Sequence, residues 1–146
     1  MRFHAAPFRA PLRAFAALVF PWTEDRVLIC DIEGRGWCIP SGRVEPNETS
    51  LEAIKREALE EGGAVLTTID YIGCYRITER QETRWADCFC AQVSHIGELT
   101  MPEESKGVRL ATLSELPDIY HLWNPLTQMV FEHSFEVISR CRTRLP

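Results

Sequence analysis

Residues 56–63 read REALEEGG, which puts Glu57, Glu60 and Glu61 within two turns of one predicted helix. Like charges three and four residues apart on a helix are neighbours and repel. Clustered carboxylate oxygens are also what a hard divalent cation prefers, and Mg²⁺ is held through a few carboxylates, waters and substrate phosphates. The three acids border the apolar stripe of Leu51, Ile54 and Ala58 instead of lying opposite it. A carboxylate at such a border is partly desolvated and demands compensation. Arg56 is spaced to bridge Glu52 and Glu60, which orients side chains but does not neutralise three acids. Taken alone, the stretch reads more simply as a solvated face, because glutamate is a good helix former and charge runs are usually wet.

The residues before the helix reverse that reading. From Gly42 the chain runs GRVEPNETSLEAIKREALEEGGA. Gly42 permits close backbone approach, so a carbonyl there is available as one more oxygen ligand. The stretch resembles the box of the Nudix hydrolase family, G-x5-E-x7-R-E-U-x-E-E-x-G-U, where U is a bulky aliphatic residue. Gly42, Glu48, Arg56, Glu57, Glu60, Glu61 and Gly63 all stand at the required places. Both U positions are alanine, Ala58 and Ala64, which weakens packing and leaves ligation intact. Ser41 replaces the first glycine of the common P-G-G approach to the box.

The resemblance implies a Mg²⁺-dependent enzyme, with Mn²⁺ as an alternative cation, that hydrolyses a nucleoside diphosphate linked to another group. Carried over to this chain, Glu57, Glu60 and Glu61 are metal ligands and Gly42 a backbone-carbonyl ligand. Arg56 orients a carboxylate, and Glu48 supports the loop-helix geometry. For the general base the family offers two options. One is a box glutamate, here Glu57 or Glu60. The other is a glutamate from a later loop, here Glu103 or Glu104. Arg76, Arg80 and Arg84 surround a predicted hairpin and are candidates for phosphate contact. Markers of the NADH, ADP-ribose, diadenosine polyphosphate and coenzyme A subfamilies are missing. What remains is a generic MutT-like hydrolase with a nucleoside triphosphate as the candidate substrate. The competing class is a Nudix-fold module that binds a nucleotide without cleaving it. A binding module has no need to keep three repelling glutamates, so the complete acidic set favours the enzyme. Homodimers are common in the family.

These side chains need a scaffold. Residues 14–20 form a near-continuous apolar run, suited to a strand buried on both faces. A second strand is expected over 26–32, a short one over 37–39, and a loop with breakers at Pro40, Gly42 and Pro46. Thr49 and Glu52 have capping-box spacing at the start of the helix, and Gly62-Gly63 ends it. A hairpin follows, with strands over 65–77 and 84–93, then a polar loop over 98–107 and a short strand over 108–112. Asn124 and Pro125 open a final helix whose Leu126, Met129, Val130 and Val137 are expected to face the core. The reading is a single α/β domain spanning 1–146, an α/β/α sandwich around a mixed sheet, with residues 1–12 a loosely held arm.

Composition narrows the partners. The 146 residues are 45% hydrophobic and 25% charged with a net charge of −5, so nothing points to a nucleic-acid groove or an anionic membrane. A small-molecule substrate carrying phosphates then needs a bridging cation or a local basic patch. Six cysteines lie mostly inside apolar runs without CxxC spacing, as expected of reduced core thiols in a cytoplasmic protein. The amino end carries arginines and a short apolar run, but Pro7, Pro11 and Pro21 interrupt it, so a first core strand is the better account than a secretory leader.

Overall fold

The computed structural model describes residues 1–143. Its strands are β1 (Arg2–Ala5), β2 (Ala16–Thr23), β3 (Arg26–Ile32), β4 (Gly36–Cys38) and β5 (Ser41–Arg43), followed by helix α1 (Ser50–Gly62). The long hairpin of β6 (Ala64–Glu79) and β7 (Glu82–Ile96) comes next, then β8 (Ser105–Thr112), the short α2 (Leu116–Ile119) and α3 (Pro125–Thr143). The sheet runs β1-β6-β7-β2-β3-β4, with β5 paired to β2 and β8 to β3. β2 and β7 are parallel and the other pairings antiparallel, so the sheet is mixed.

The central strands serve two cores at once, which is why their sequences are apolar throughout and not alternating. On β2, Ala17 and Val19 enter a cluster with Ala53, Ile54 and Ala58 of α1. Phe20 and Trp22 enter the opposite cluster with Val130, Phe131 and Ile138 of α3. β3 repeats the division, with Leu28 and Cys30 toward α1 and Val27 and Ile29 toward α3. The result is the expected α/β/α arrangement. Among the described residues no disulfide links the six cysteines, and burial pushes Cys38 up to about 11. No helix among the described residues is long and apolar enough to cross a membrane.

Four local expectations are corrected. Residues 1–12 are not a loose arm, because β1 pairs with β6 from Arg2↔Arg76 to Ala5↔Gly73. Beyond β1, Tyr71 Oη donates to the Phe8 carbonyl at 2.6 Å and the Arg9 guanidinium lies 3.8 Å from the Tyr71 ring centroid. The loop after Pro40 contains the short strand β5, zipped to β2 through Gly42↔Ala17. The last strand starts at Ser105, three residues early, because Ser105 pairs with Ile32 across a bulge. On the helices, Leu51 is exposed and Met129 is 47% exposed, while Ala53 replaces the first and Phe131 and Ile138 extend the core face of α3. Both misplacements follow from assigning an apolar residue at the edge of a stripe to its centre.

Candidate active site

Helix α1 begins on the expected cap. The Glu52 N–H donates to Thr49 Oγ1 at 3.1 Å and the Thr49 N–H to Glu52 Oε1 at 3.0 Å. Ser50 Oγ donates to Asp87 Oδ2 at 2.7 Å, which fastens the first turn to β7. The helix ends at Gly63 with φ of 62°, a left-handed cap whose N–H bonds back to Leu59. Both ends are therefore fixed, and so is the rotation that aims Glu57, Glu60 and Glu61.

Arg56 is the hub. Its Nε donates to Glu48 Oε2 at 2.8 Å and its Nη2 to Glu48 Oε1 at 3.0 Å, a bidentate pair that ties the loop of 44–48 to the helix. Nη2 also reaches the Arg43 carbonyl at 3.1 Å. Nη1 holds Glu57 Oε1 at 2.8 Å and Glu60 Oε2 at 3.3 Å. The expected bridge from Arg56 to Glu52 is not made, because Glu52 is consumed by the cap. Hydrogen bonding from Arg56 holds the Glu48 carboxyl down at about 2.

Glu61 sits on the other side of the box and is only 8% exposed. Its Oε1 accepts from the Ser41 N–H at 2.9 Å, and its main-chain carbonyl accepts from buried Ser105 Oγ at 2.6 Å. Burial pushes its pKa up to about 7, with the Ser41 N–H opposing and the charges of Glu57 and Glu104 adding to the rise. Burial also raises Glu57, against the pull of Arg56 and with help from Glu60 and Glu104. Ser41 takes no positive φ, so serine is accommodated where relatives carry glycine. Gly42 leaves room for the Glu57 side chain. A Cβ built there would run into the carboxylate of Glu57.

Three buried or half-buried carboxylates thus stand beside the backbone of Ser41 and Gly42, with one guanidinium among them. The donor set is all oxygen, desolvated and undercompensated, and so fits a hard divalent cation by its chemistry. The side chains do not yet close on one point. Among the described residues no three His, Cys, Asp or Glu side chains do, since Glu57 and Glu60 both turn onto Arg56 Nη1. A cation must compete with Arg56 for these two oxygens.

Of the two loop glutamates, only Glu104 bears on Glu57 and Glu61, raising both. Its main-chain carbonyl accepts from the Glu33 N–H at 2.9 Å, which holds the loop on β3. Glu103 is exposed one residue further away. The hairpin arginines separate. Arg84 lies over the Phe15 ring at 4.1 Å and lines a cleft with Arg13 and Arg43. Arg76 lines a different cleft with Arg2, and Arg80 occupies the hairpin turn with φ of 50°. Trp22 is core, its Nε1 donating to Ser134 Oγ at 3.1 Å.

Sequence reasoning missed an apolar cavity of about 170 Å³ lined by Leu18, Phe20, Ile39, Tyr120, His121 and Phe131, among others. Leu18 pairs with Ser41, so the cavity reaches the strand whose Ser41 N–H holds Glu61. The Ile39 N–H donates to Tyr120 Oη at 3.2 Å, and the Tyr120 ring packs on Phe131 with centroids 5.0 Å apart. Burial lowers His121, with the Arg35 charge adding to the fall, and the same charge opposes the rise of Glu61. No local sequence signal marks this cavity, because its walls come from positions over a hundred residues apart.

Comparison with known proteins agrees with this geometry. The profile described as NUDIX domain matches residues 12–131. The chain is 32% identical over 91 residues to the "Putative 8-oxo-dGTP diphosphatase YtkD" of Bacillus subtilis, a stretch covering 62% of this chain and 56% of that relative. Its fold is similar to that of a point mutant of the Bacillus subtilis pyrophosphohydrolase BsRppH, with a TM-score of 0.72 at 20% identity over 95% of this chain and 90% of the other. A NUDIX hydrolase from Nitrosomonas europaea gives 0.70 at 19% identity over 86% and 90%. The match extends well beyond the box, from ahead of β2 into the first turns of α3, and the chain belongs to the Nudix hydrolase family.

Proposed function

We propose that this protein is a Mg²⁺-dependent pyrophosphohydrolase, with Mn²⁺ as a substitute, acting on a nucleoside triphosphate. The observation that carries the reading is the pair Glu57 and Glu61, two desolvated carboxylates against Gly42 whose charge the single Arg56 does not balance. Glu57, Glu60 and Glu61, with the Gly42 carbonyl, would hold the cation. When bound it supplies neutralisation of the substrate's diphosphate charge, without which an anionic or polar nucleophile is repelled.

The chain's own residues do the rest. Arg56 orients Glu57 and Glu60, and Glu48 locks Arg56 in place through its bidentate pair. Glu104 accepts the proton of the attacking water, being the loop glutamate whose charge reaches the site. The cavity of Leu18, Tyr120 and His121 takes the nucleobase and shields it from water. The similarity to the Bacillus subtilis protein named "Putative 8-oxo-dGTP diphosphatase YtkD" supports a purine nucleoside triphosphate.

The test is a panel of nucleoside triphosphates, diphosphate sugars and dinucleotides incubated with Mg²⁺ or Mn²⁺, with Glu60→Gln as the control. Cleavage of at least one compound and its large loss in the variant are expected. Equal turnover by Glu60→Gln would remove Glu60 from the ligand set. Tight binding with no turnover anywhere in the panel would overturn the hydrolase assignment of this site.

A further inference from the structure

The chain is acidic, with a net charge of −5, yet three arginines converge on one cleft of about 360 Å³. Its walls are Arg13, Phe15, Arg43 and Arg84, with Ala14 and Val44 completing it. The segments are stitched by backbone. The Val44 N–H donates to the Phe15 carbonyl at 3.0 Å, the Phe15 N–H to the Trp85 carbonyl at 3.0 Å, and Arg43 pairs with Ala16. The cleft is thus built from three distant stretches held in register.

The arginines are poorly compensated. Arg13 spends Nη2 on the main-chain carbonyls of Glu45 and Glu48, at 2.7 and 2.8 Å, which fixes the wall, and after Arg56 its charge helps hold the Glu48 carboxyl down. Among the described residues Arg84 pairs with Glu79 at 3.8 Å and otherwise lies on the Phe15 ring. Among the described residues no carboxylate pairs with the Arg43 side chain. Guanidinium groups set around an aromatic floor, with donors unspent, are what a phosphate group needs.

Position gives the cleft its meaning. Successive residues of a strand point to opposite faces, so Ser41 and Arg43 share one face and Gly42 takes the other, toward Glu57. On that shared face Ala86 lines the apolar cavity and Arg84, two residues along β7, lines the basic cleft. Cavity and cleft are therefore consecutive along one face of the sheet, and the Arg43 carbonyl, which accepts from Arg56 Nη2 at 3.1 Å, joins the cleft to the box.

We propose that the cleft of Arg13, Arg43 and Arg84 is a binding site for a phosphate of the substrate beyond the diphosphate that is cleaved, and so selects nucleoside triphosphates over diphosphate compounds. The inference rests on the hydrolase reading for the path of the substrate, but not for the existence of the anion site. Arg43 and Arg84 contact the phosphate, and Arg13 is a positioning residue that holds the wall.

Two measurements test it. The first is calorimetric titration of inorganic tripolyphosphate into chelator-treated protein at low salt. Wild type and the control Arg26→Gln, an exposed arginine on β3, are expected to bind alike. Arg43→Gln and Arg84→Gln are expected to bind about tenfold more weakly each, the loss of one charge-assisted hydrogen bond. The second is kcat/KM for a nucleoside triphosphate against the corresponding diphosphate. The variants should lose about tenfold on the triphosphate, mostly through KM, and little on the diphosphate. Unaltered thermal unfolding midpoints exclude misfolding as the cause. Equal tripolyphosphate affinity in all four proteins would overturn the cleft. So would an unchanged triphosphate-to-diphosphate ratio in active variants, while the hydrolase reading stood. If wild type cleaves neither compound, that reading fails and the titration alone decides the cleft.

Discussion

Glu48 and Glu61 belong to the same box and meet opposite electrostatic fates. Glu48 faces a bidentate guanidinium and is held down at about 2, whereas Glu61 is buried beside two other acids and is pushed up to about 7. One end of the box is self-neutralised and the other is left short of positive charge. The contrast separates two jobs that the spacing alone merges. Arg56 and Glu48 build the loop-helix junction, and Glu57 and Glu61 are the carboxylates that the proposed cation would neutralise.

The most direct way to break the contrast is to remove charge from the undercompensated end. Glu57→Gln should lower turnover by about 10³-fold, as expected when several kcal/mol of electrostatic stabilisation are lost. Its unfolding midpoint should stay level or rise, because a desolvated charge is deleted. A midpoint that fell with activity would place Glu57 in the structural half. Arg56→Gln attacks the other half and should do both kinds of damage. Activity is expected to fall about 10- to 100-fold through misoriented Glu57 and Glu60. Stability should fall, measured by urea denaturation, because Glu48 loses its partner.

Titration separates the two carboxylates without shared geometry. Glu61 has a folded pKa raised above its ordinary 4.5, so the chelated protein should lose stability as pH rises from about 4.5 to about 7. Glu48 has a folded pKa lowered from the same value, so its contribution is present above about 4.5 and lost as pH falls toward 2. Denaturant midpoints across this range should be flattened on the upper side by Glu61→Gln and on the lower side by Glu48→Gln. A wild-type profile that rises between pH 5 and 7 would contradict the assignment of Glu61. The smallest effect expected is that of Thr49→Ala, which touches the helix but neither half of the box. It should cost about 1 kcal/mol in the same measurement and leave KM unchanged.

The box was readable because its parts lie on one loop and one helix, where spacing translates directly into geometry. The capping pair Thr49 and Glu52 and the left-handed Gly63 were readable for the same reason. The long central strands announced themselves by apolar runs. What stayed hidden depends on register between distant segments. β1 has too few apolar residues to read as a strand until β6 pairs with it. Tyr120 and Leu18 become neighbours in a cavity, and Arg13, Arg43 and Arg84 in a cleft, only through sheet pairing across the chain. Met129 shows the limit within a helix. Periodicity marks a stripe, but the packing of Phe131, Ser134 and Ile138 decides which side of it turns inward.

The Gly97 N–H donates to the Gly63 carbonyl at 2.7 Å. The β6–β7 hairpin therefore leaves the end of the box and returns to it, while β1 and β2 hold its strands in the sheet. Those pairings stop at Arg76 and Ala86, so an engineer can lengthen the Arg80–Gln81 turn beyond them and leave that register, and Arg84, in place.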